Sequence, residues 1–389
     1  MTTSRRRTVL AVIAGAAALT VTATGCDHSP EPAPSSDRAI QQQIDAVVEQ
    51  GIPGVQVVIS DPERGRRVLR AGVGDTATRA PITDDARVRI GSNTKAFVAA
   101  VVLQLVDEGR VDLGRSVEHY LPGTVKGNGN DGSRVTVRDL LRHTSGLTDY
   151  VAAGGTKPQD IKPGQLRIGV DEEPLGTYTP AELVRIATSL PPGPGAKDKA
   201  VYSNTNYIVL GMLIEKVTGS PAEEEITTRV IDRLGLKDTY FPRRGETGIR
   251  GPHPRGYHRI GEKRVDVTDG DVSWAHTAGA MVATGADLNT FFTALLRGDI
   301  VSKDRLTEMK RTVPLDRVPK DGYGLGLVRV GNSCGKEVWG HGGGIPGFTT
   351  SGGVDPKGRA VTLTFNHVAM TKEAGEAVTR AVDAAICGQ

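Results

Sequence analysis

Apolar and polar positions recur with helical spacing over Asp37–Gly51 (DRAIQQQIDAVVEQG), which predicts an amphipathic helix stopped by Gly51. Two strand-like runs follow, VQVVIS and RRVLRAGVG, joined by the turn DPERG at Asp61–Gly65. The pattern then changes. From about Asn93 to Glu108 (NTKAFVAAVVLQLVDE) apolar residues occupy almost every face, so the helix predicted there is a buried one. As far as about Gly270, helical segments alternate with long polar loops. Strand-like runs return in YGLGLVRV, KEVWGHGG, FTTSGGVD and RAVTLTFN, and a closing helix is predicted over about Lys372–Ile386. Strands at both ends with helices between them predict an α+β fold, an α/β sandwich. One antiparallel sheet, flanked by the first and last helices, takes strands from both chain ends, and a mostly helical part is inserted. The expected division is a sheet subdomain over about 39–92 and 275–389 and a helical subdomain over about 93–274.

Residues 1–25 read as a signal peptide, not as part of this fold. Arg5–Arg7 form a basic start, Val9–Leu19 is an apolar run too short to span a bilayer comfortably, and Arg6-Arg7 suggests twin-arginine export. The leader ends in ATGC, which is similar to a lipobox with Ala23 in place of the usual Leu. Cys26 is therefore the expected lipidated residue, ordinary cleavage nearby being the alternative. A Pro- and Ser-bearing tether over residues 26–38 leads into a catalytic domain over 39–389. The expected location is outside the cell membrane, anchored through Cys26, or secreted if Cys26 carries no lipid.

Charge and cysteines refine this picture. Three of the 48 Lys and Arg residues belong to the leader, which holds none of the 45 acidic ones, so the rest of the chain is balanced. No basic excess marks a nucleic-acid surface, and aromatic residues make up only 4%, too few for a base-stacking platform. Setting Cys26 aside leaves Cys334 and Cys387, an even pair in an oxidising compartment. We read them as a disulfide closing a loop long enough to add roughly 4 kcal/mol, two free thiols being the alternative.

Two short motifs match the wrong context. GNGNDG (Gly127–Gly132) fits a dinucleotide fingerprint in letters, but no strand feeds it and no helix opens at its end. GNSCG (Gly331–Gly335) fits a nucleophile elbow but lies between two strands. His253 and His258 sit in a Pro- and Gly-bearing loop without metal-ligand spacing, so neither metal nor cofactor is expected.

GSNTK is different. Ser92 and Lys95 stand three apart at the start of the buried helix, on one face. A serine hydroxyl needs a base, and a lysine desolvated near a helix N-terminus is pushed toward its neutral form. Alone, the spacing is common. Tyr202, Ser203 and Asn204 add a proton relay and an amide in front of another apolar helix. His341 and Gly343, on a late strand, add a third box.

These three boxes, in this order, resemble the serine β-lactamase and penicillin-binding family, in its class C-like D-Ala-D-Ala carboxypeptidase branch. The resemblance runs from about residue 38 to the C-terminus and includes LLRHTSGL, VSWAHTAGA and GYGLGL. Exported actinomycete carboxypeptidases of this type have cysteines matching Cys334 and Cys387. The resemblance implies that Ser92 becomes acylated, with Lys95 and Tyr202 moving its proton. Ser92 and Gly344 would form the oxyanion hole beside Gly343, Asn204 would hold the substrate amide, and His341 would support the relay. Trp274 would wall the substrate site, unless it is a core residue. HTSGL reads as structural, since Ser145 has no nearby base in sequence.

One part of the pattern is missing. The carboxypeptidases carry Thr in the middle of the third box and just after it, and an Arg on the preceding strand. Here these places hold Gly342, Gly344 and Val328, and strand alternation turns Arg329 away. The first expectation is a carboxypeptidase-type peptidase of the cell envelope, acting as a monomer on peptidoglycan-type peptides and acylated by β-lactams. The second is an esterase, amidase or weak β-lactamase using the same serine. A non-catalytic sensor lipoprotein is the third.

Overall fold

The computed structural model describes residues 36–151, 177–193, 195, 197–260, 263–315, 318–368 and 371–388. The leader, Cys26 and the tether up to residue 35 lie outside the described residues. The amphipathic start forms α1 (Ser36–Glu49), followed by β1 (Gly54–Asp61) and β2 (Gly65–Gly72). The buried apolar run forms α2 (Thr94–Asp107), and α3 (Thr205–Thr218) and α4 (Gly285–Arg297) follow later in the chain. The late strands are β3 (Val313–Leu315), β4 (Val318–Tyr323), β5 (Val328–Arg329), β6 (Trp339–Gly340), β7 (Gly343–Ile345), β8 (Phe348–Val354) and β9 (Ala360–Phe365). The chain closes in α5 (Lys372–Cys387).

The strands form one sheet in the order β2-β1-β9-β8-β6-β5-β4-β3, with β7 paired onto β8. All its ladders are antiparallel, and β1 joins the two chain ends by pairing Val55 with Phe365 through Ser60 with Ala360. VQVVIS lacks alternation because β1 is covered on both faces. On one side Ile40, Ile44 and Val47 of α1 and Ala377, Ala381 and Ala385 of α5 pack on Val55, Val57, Leu363 and Phe365. On the other lies α4, where a Cβ on Gly285 would come within 2.9 Å of Val58. The Asn289 amide of α4 donates to the Val58 carbonyl at 3.0 Å and accepts from the Thr362 hydroxyl at 2.8 Å. Each aliphatic or aromatic side chain so buried contributes roughly 1.5–3 kcal/mol, which makes this sandwich a rigid base.

The helix α2 is buried on nearly every face, as its composition predicts, with Phe97 stacked on Phe291 of α4 at 3.6 Å between ring centres. YGLGLVRV does not form the single strand expected of it. The chain leaves the sheet after Tyr323 and returns at Val328, because Gly326 presses against α2 and α3, where a Cβ would meet Ala99 at 2.4 Å and the Tyr207 hydroxyl at 2.8 Å. Ser333 occupies the β5–β6 connection, and its amide and hydroxyl both donate to the Asp383 carboxylate of α5. Beside it the sulfurs of Cys334 and Cys387 stand at bonding distance, their Cα atoms 5.8 Å apart.

Candidate active site

The short strand Arg87–Arg89 delivers the chain to Gly91, whose φ of 52° is a left-handed conformation that suits glycine. Ser92 comes next, on a single 3₁₀ turn that opens into α2. The sharp turn leaves the Ser92 side chain partly exposed while Lys95, one helical turn on, is completely buried.

The Lys95 ammonium nitrogen lies 2.9 Å from Ser92 Oγ, 2.8 Å from Asn204 Oδ1 and 2.6 Å from the Ala278 carbonyl. Two of these neighbours can only accept. The Asn204 amide is oriented by its Nδ2, which donates to Asp149 Oδ2 at 3.0 Å and so leaves Oδ1 toward Lys95. A neutral Lys95 has two N–H bonds and one lone pair. Asn204 and Ala278 take the two N–H bonds, and the lone pair is left facing the Ser92 hydroxyl. Burial pushes the Lys95 amine down to about 7, with Asp149 opposing the shift only partly. Burial pushes the Asp149 carboxyl up.

Around this amine stands a cage of rings. Lys95 Nζ lies 4.9 Å from the centre of Tyr202 and 5.6 Å from that of Tyr207. His341 is buried, with Nδ1 2.5 Å from the Gly342 carbonyl and Nε2 3.1 Å from the Tyr323 hydroxyl. A carbonyl only accepts, so Nδ1 carries the proton and Nε2 accepts from Tyr323. Burial and the nearby Lys95 push the imidazole down to about 3, so it is neutral at physiological pH.

The glycines beside it differ in purpose. A Cβ on Gly343 would sit 1.9 Å from the Ile90 carbonyl, so β7 packs backbone to backbone on the Ser92 turn. A Cβ on Gly91 would likewise lie 2.8 Å from the Gly344 nitrogen. Gly342 and Gly344 are exposed; Gly344 has nothing within 4 Å of an added Cβ, and Gly342 only the Thr350 carbonyl at 3.5 Å. The two places where the resemblance expects threonine therefore have room for a side chain and present bare backbone to the cleft. Arg329 is exposed, paired with Trp339, while Val328 pairs with Gly340.

Ser92, Lys95, Tyr202, Asn204, His341, Gly343 and Gly344 thus converge from α2, the loop before α3, and β7 with the residues before it. Trp274 is only 7% exposed and belongs to the apolar cluster around α2, its carbonyl accepting from the Tyr150 hydroxyl at 2.6 Å. Sequence reasoning missed Asp149, Ala278 and Tyr323 as participants. Ala278 and Tyr323 lie in VSWAHTAGA and GYGLGL, which carried the resemblance without a role for either residue, and Asp149 has no local signal.

Comparison with known proteins decides the affiliation. The β-lactamase family model matches residues 37–386. The chain belongs to the β-lactamase family. A D-stereospecific amidohydrolase from Streptomyces sp. is 39% identical, with 90% of this chain and 98% of that one covered at a TM-score of 0.78. A D-amino acid amidase from Ochrobactrum anthropi SV3, in complex with L-phenylalanine amide, is 29% identical, with 90% and 98% covered and a TM-score of 0.74. A β-lactamase from Providencia stuartii is 29% identical over 206 residues, 52% of this chain and 47% of that protein. Curated relatives from Bacillus subtilis (strain 168) and Staphylococcus aureus (strain MW2) are matched over 63% and 47% of their lengths. As a member of this family of serine hydrolases, the chain has the expected α+β fold.

Proposed function

We propose that the protein is a serine amidohydrolase that cleaves amides of D-amino acids through an acyl-enzyme on Ser92. The observation that carries the chemistry is the buried Lys95 amine, 2.9 Å from Ser92 Oγ with its two N–H bonds already taken. Neutral Lys95 removes the Ser92 proton as Oγ attacks the amide carbon. The Ser92 and Gly344 N–H groups hold the oxyanion. Tyr202 passes a proton to the departing nitrogen, which leaves as ammonia. Water then attacks the ester and gives its proton to the Tyr202 phenolate, while Ser92 Oγ leaves with the proton held by Lys95, so that the acid is released and all three side chains are restored.

Asp149 favours an amino-acid amide over a peptide with a free C-terminus. Asp149 lies behind Asn204, and in its ionised form it would attract a substrate ammonium and repel a terminal carboxylate. The bare backbone at Gly342 and Gly344 offers no hydroxyl to grip that carboxylate, and the amidohydrolase and amidase relatives point the same way. An exported enzyme tethered through Cys26 would meet such substrates at the cell envelope, and β-lactams would acylate the same serine.

Ammonia release from D-phenylalanine amide is expected to exceed that from the L-enantiomer by about 10- to 100-fold in kcat/KM. Acetylating the substrate amine should lower kcat/KM about 10- to 100-fold, the worth of one charge-assisted hydrogen bond. D-Ala release from a D-Ala-D-Ala peptide at a higher kcat/KM than amide cleavage would instead establish the carboxypeptidase reading.

A further inference from the structure

His143 is walled into this site, yet the chemistry above gives it no task. Its ring is fully buried, 4.2 Å from the centre of Tyr202 at a tilt of 31° and 4.7 Å from that of Tyr323. Its Nδ1 accepts from Asn206 Nδ2 at 2.9 Å and from the Ser203 amide at 3.2 Å, and its carbonyl accepts from the Val201 amide at 2.8 Å. The residues on both sides of Tyr202 are therefore held by His143, while its ring covers one face of the phenol. The Asn206 amide is itself oriented, since Ser145 Oγ accepts from the Leu147 amide and donates to Asn206 Oδ1 at 2.6 Å.

We propose that His143 is the positioning residue for Tyr202, fixing its ring for proton transfer as a neutral imidazole with the proton on Nε2. Two requirements meet at this one position, a flat ring to stack and an acceptor for two N–H groups. Its φ of 58° adds a third, a left-handed backbone in which asparagine is among the better-tolerated replacements. Because Nδ1 is occupied twice as an acceptor, the proton resides on Nε2, which has no hydrogen-bond partner among the described residues. A buried N–H left without a partner is costly, and such groups in native structures mark functional demands. The groups facing it are Lys95, His341, Tyr202, Tyr207 and Tyr323, and burial with the two nearby bases holds the imidazole well below its ordinary range. A charge on His143 would stand close to the cation that Lys95 becomes when it takes the Ser92 proton; an uncharged ring does not oppose that step.

This inference rests on Tyr202 acting as the proton donor proposed above. His143→Phe keeps the ring but orphans the Ser203 and Asn206 donors, whereas His143→Asn keeps an acceptor and the backbone conformation. With D-phenylalanine amide, His143→Phe is expected to lower kcat about 10- to 100-fold through misplacement of Tyr202, with KM within about twofold. His143→Asn should recover part of that loss, and His143→Phe in a Tyr202→Phe background should add almost nothing. An equal cost of His143→Phe in both backgrounds, or a change in KM alone, overturns the proposal. Nitrogen-15 NMR of the full chain reads the imidazole without any turnover. A neutral Nε2–H form between pH 6 and 8 is expected, and an imidazolium at pH 6 overturns the assignment. If the wild-type chain leaves the amide intact, the amidase reading has failed, and the NMR spectrum still decides the state of His143.

Discussion

Lys95→Met is expected to lower kcat for amide hydrolysis about 1,000-fold, the usual worth of a well-placed general base. Methionine is unbranched and apolar, so it can fill the buried space that the Lys95 side chain occupies without a charge. What it removes is the lone pair facing Ser92. The pH profile makes the test specific. Burial sets Lys95 at about 7 in the folded protein, and the active form is the neutral one. At saturating amide, kcat should therefore rise with pH up to about 7 and level off above it, about tenfold per unit on the acid side. This acid limb should vanish in Lys95→Met. Steady-state kinetics from pH 5 to 9 on both proteins checks the expectation; an unchanged limb in the variant would assign it to another group. His341 does not supply such a limb, because burial holds it at about 3.

Gly343→Ala is expected to destabilise the fold by about 3 kcal/mol, near the upper range for forced overpacking. The new methyl would meet the Ile90 carbonyl at 1.9 Å and the Asn93 amide and Thr350 hydroxyl at 2.8 Å. Two of these atoms belong to the turn that carries Ser92, and Asn93 Nδ2 already donates to both Ile90 O and Thr350 Oγ1. The strand can only move away, which also separates the Gly344 amide from Ser92 and weakens the oxyanion hole. Gly344→Ala, one residue on, enters open space and should change stability by no more than about 0.5 kcal/mol. Urea denaturation of the two variants compares them directly. Equal losses would mean that β7 does not lie against the Ser92 turn as described.

Features that depend on near neighbours were legible in the chain. The all-apolar run gave α2 to within one residue at each end, and the Ser92–Lys95 spacing placed both side chains on one face. The sheet from both chain ends followed from alternating and continuous apolar runs. Contacts between distant segments were not legible. Asp149 touches Asn204 across 55 residues and Lys95 reaches the Ala278 carbonyl across 183, neither with any periodic mark. HTSGL carried no nearby base for Ser145, so it read as structural; its histidine became visible only once the Tyr202 loop folded over it. YGLGLVRV read as one strand because its glycines alternate with Tyr and Leu. Gly326 is a glycine for the opposite reason, to let the chain leave the sheet and touch α2.

Ser92 is the acylated nucleophile of the proposed reaction. Intact mass of the full chain after incubation with a β-lactam tests this assignment most directly. One covalent adduct, located on the peptide carrying Ser92 and absent from Ser92→Ala, is the predicted result. No adduct on the wild-type chain, or an equal adduct on Ser92→Ala, would contradict it.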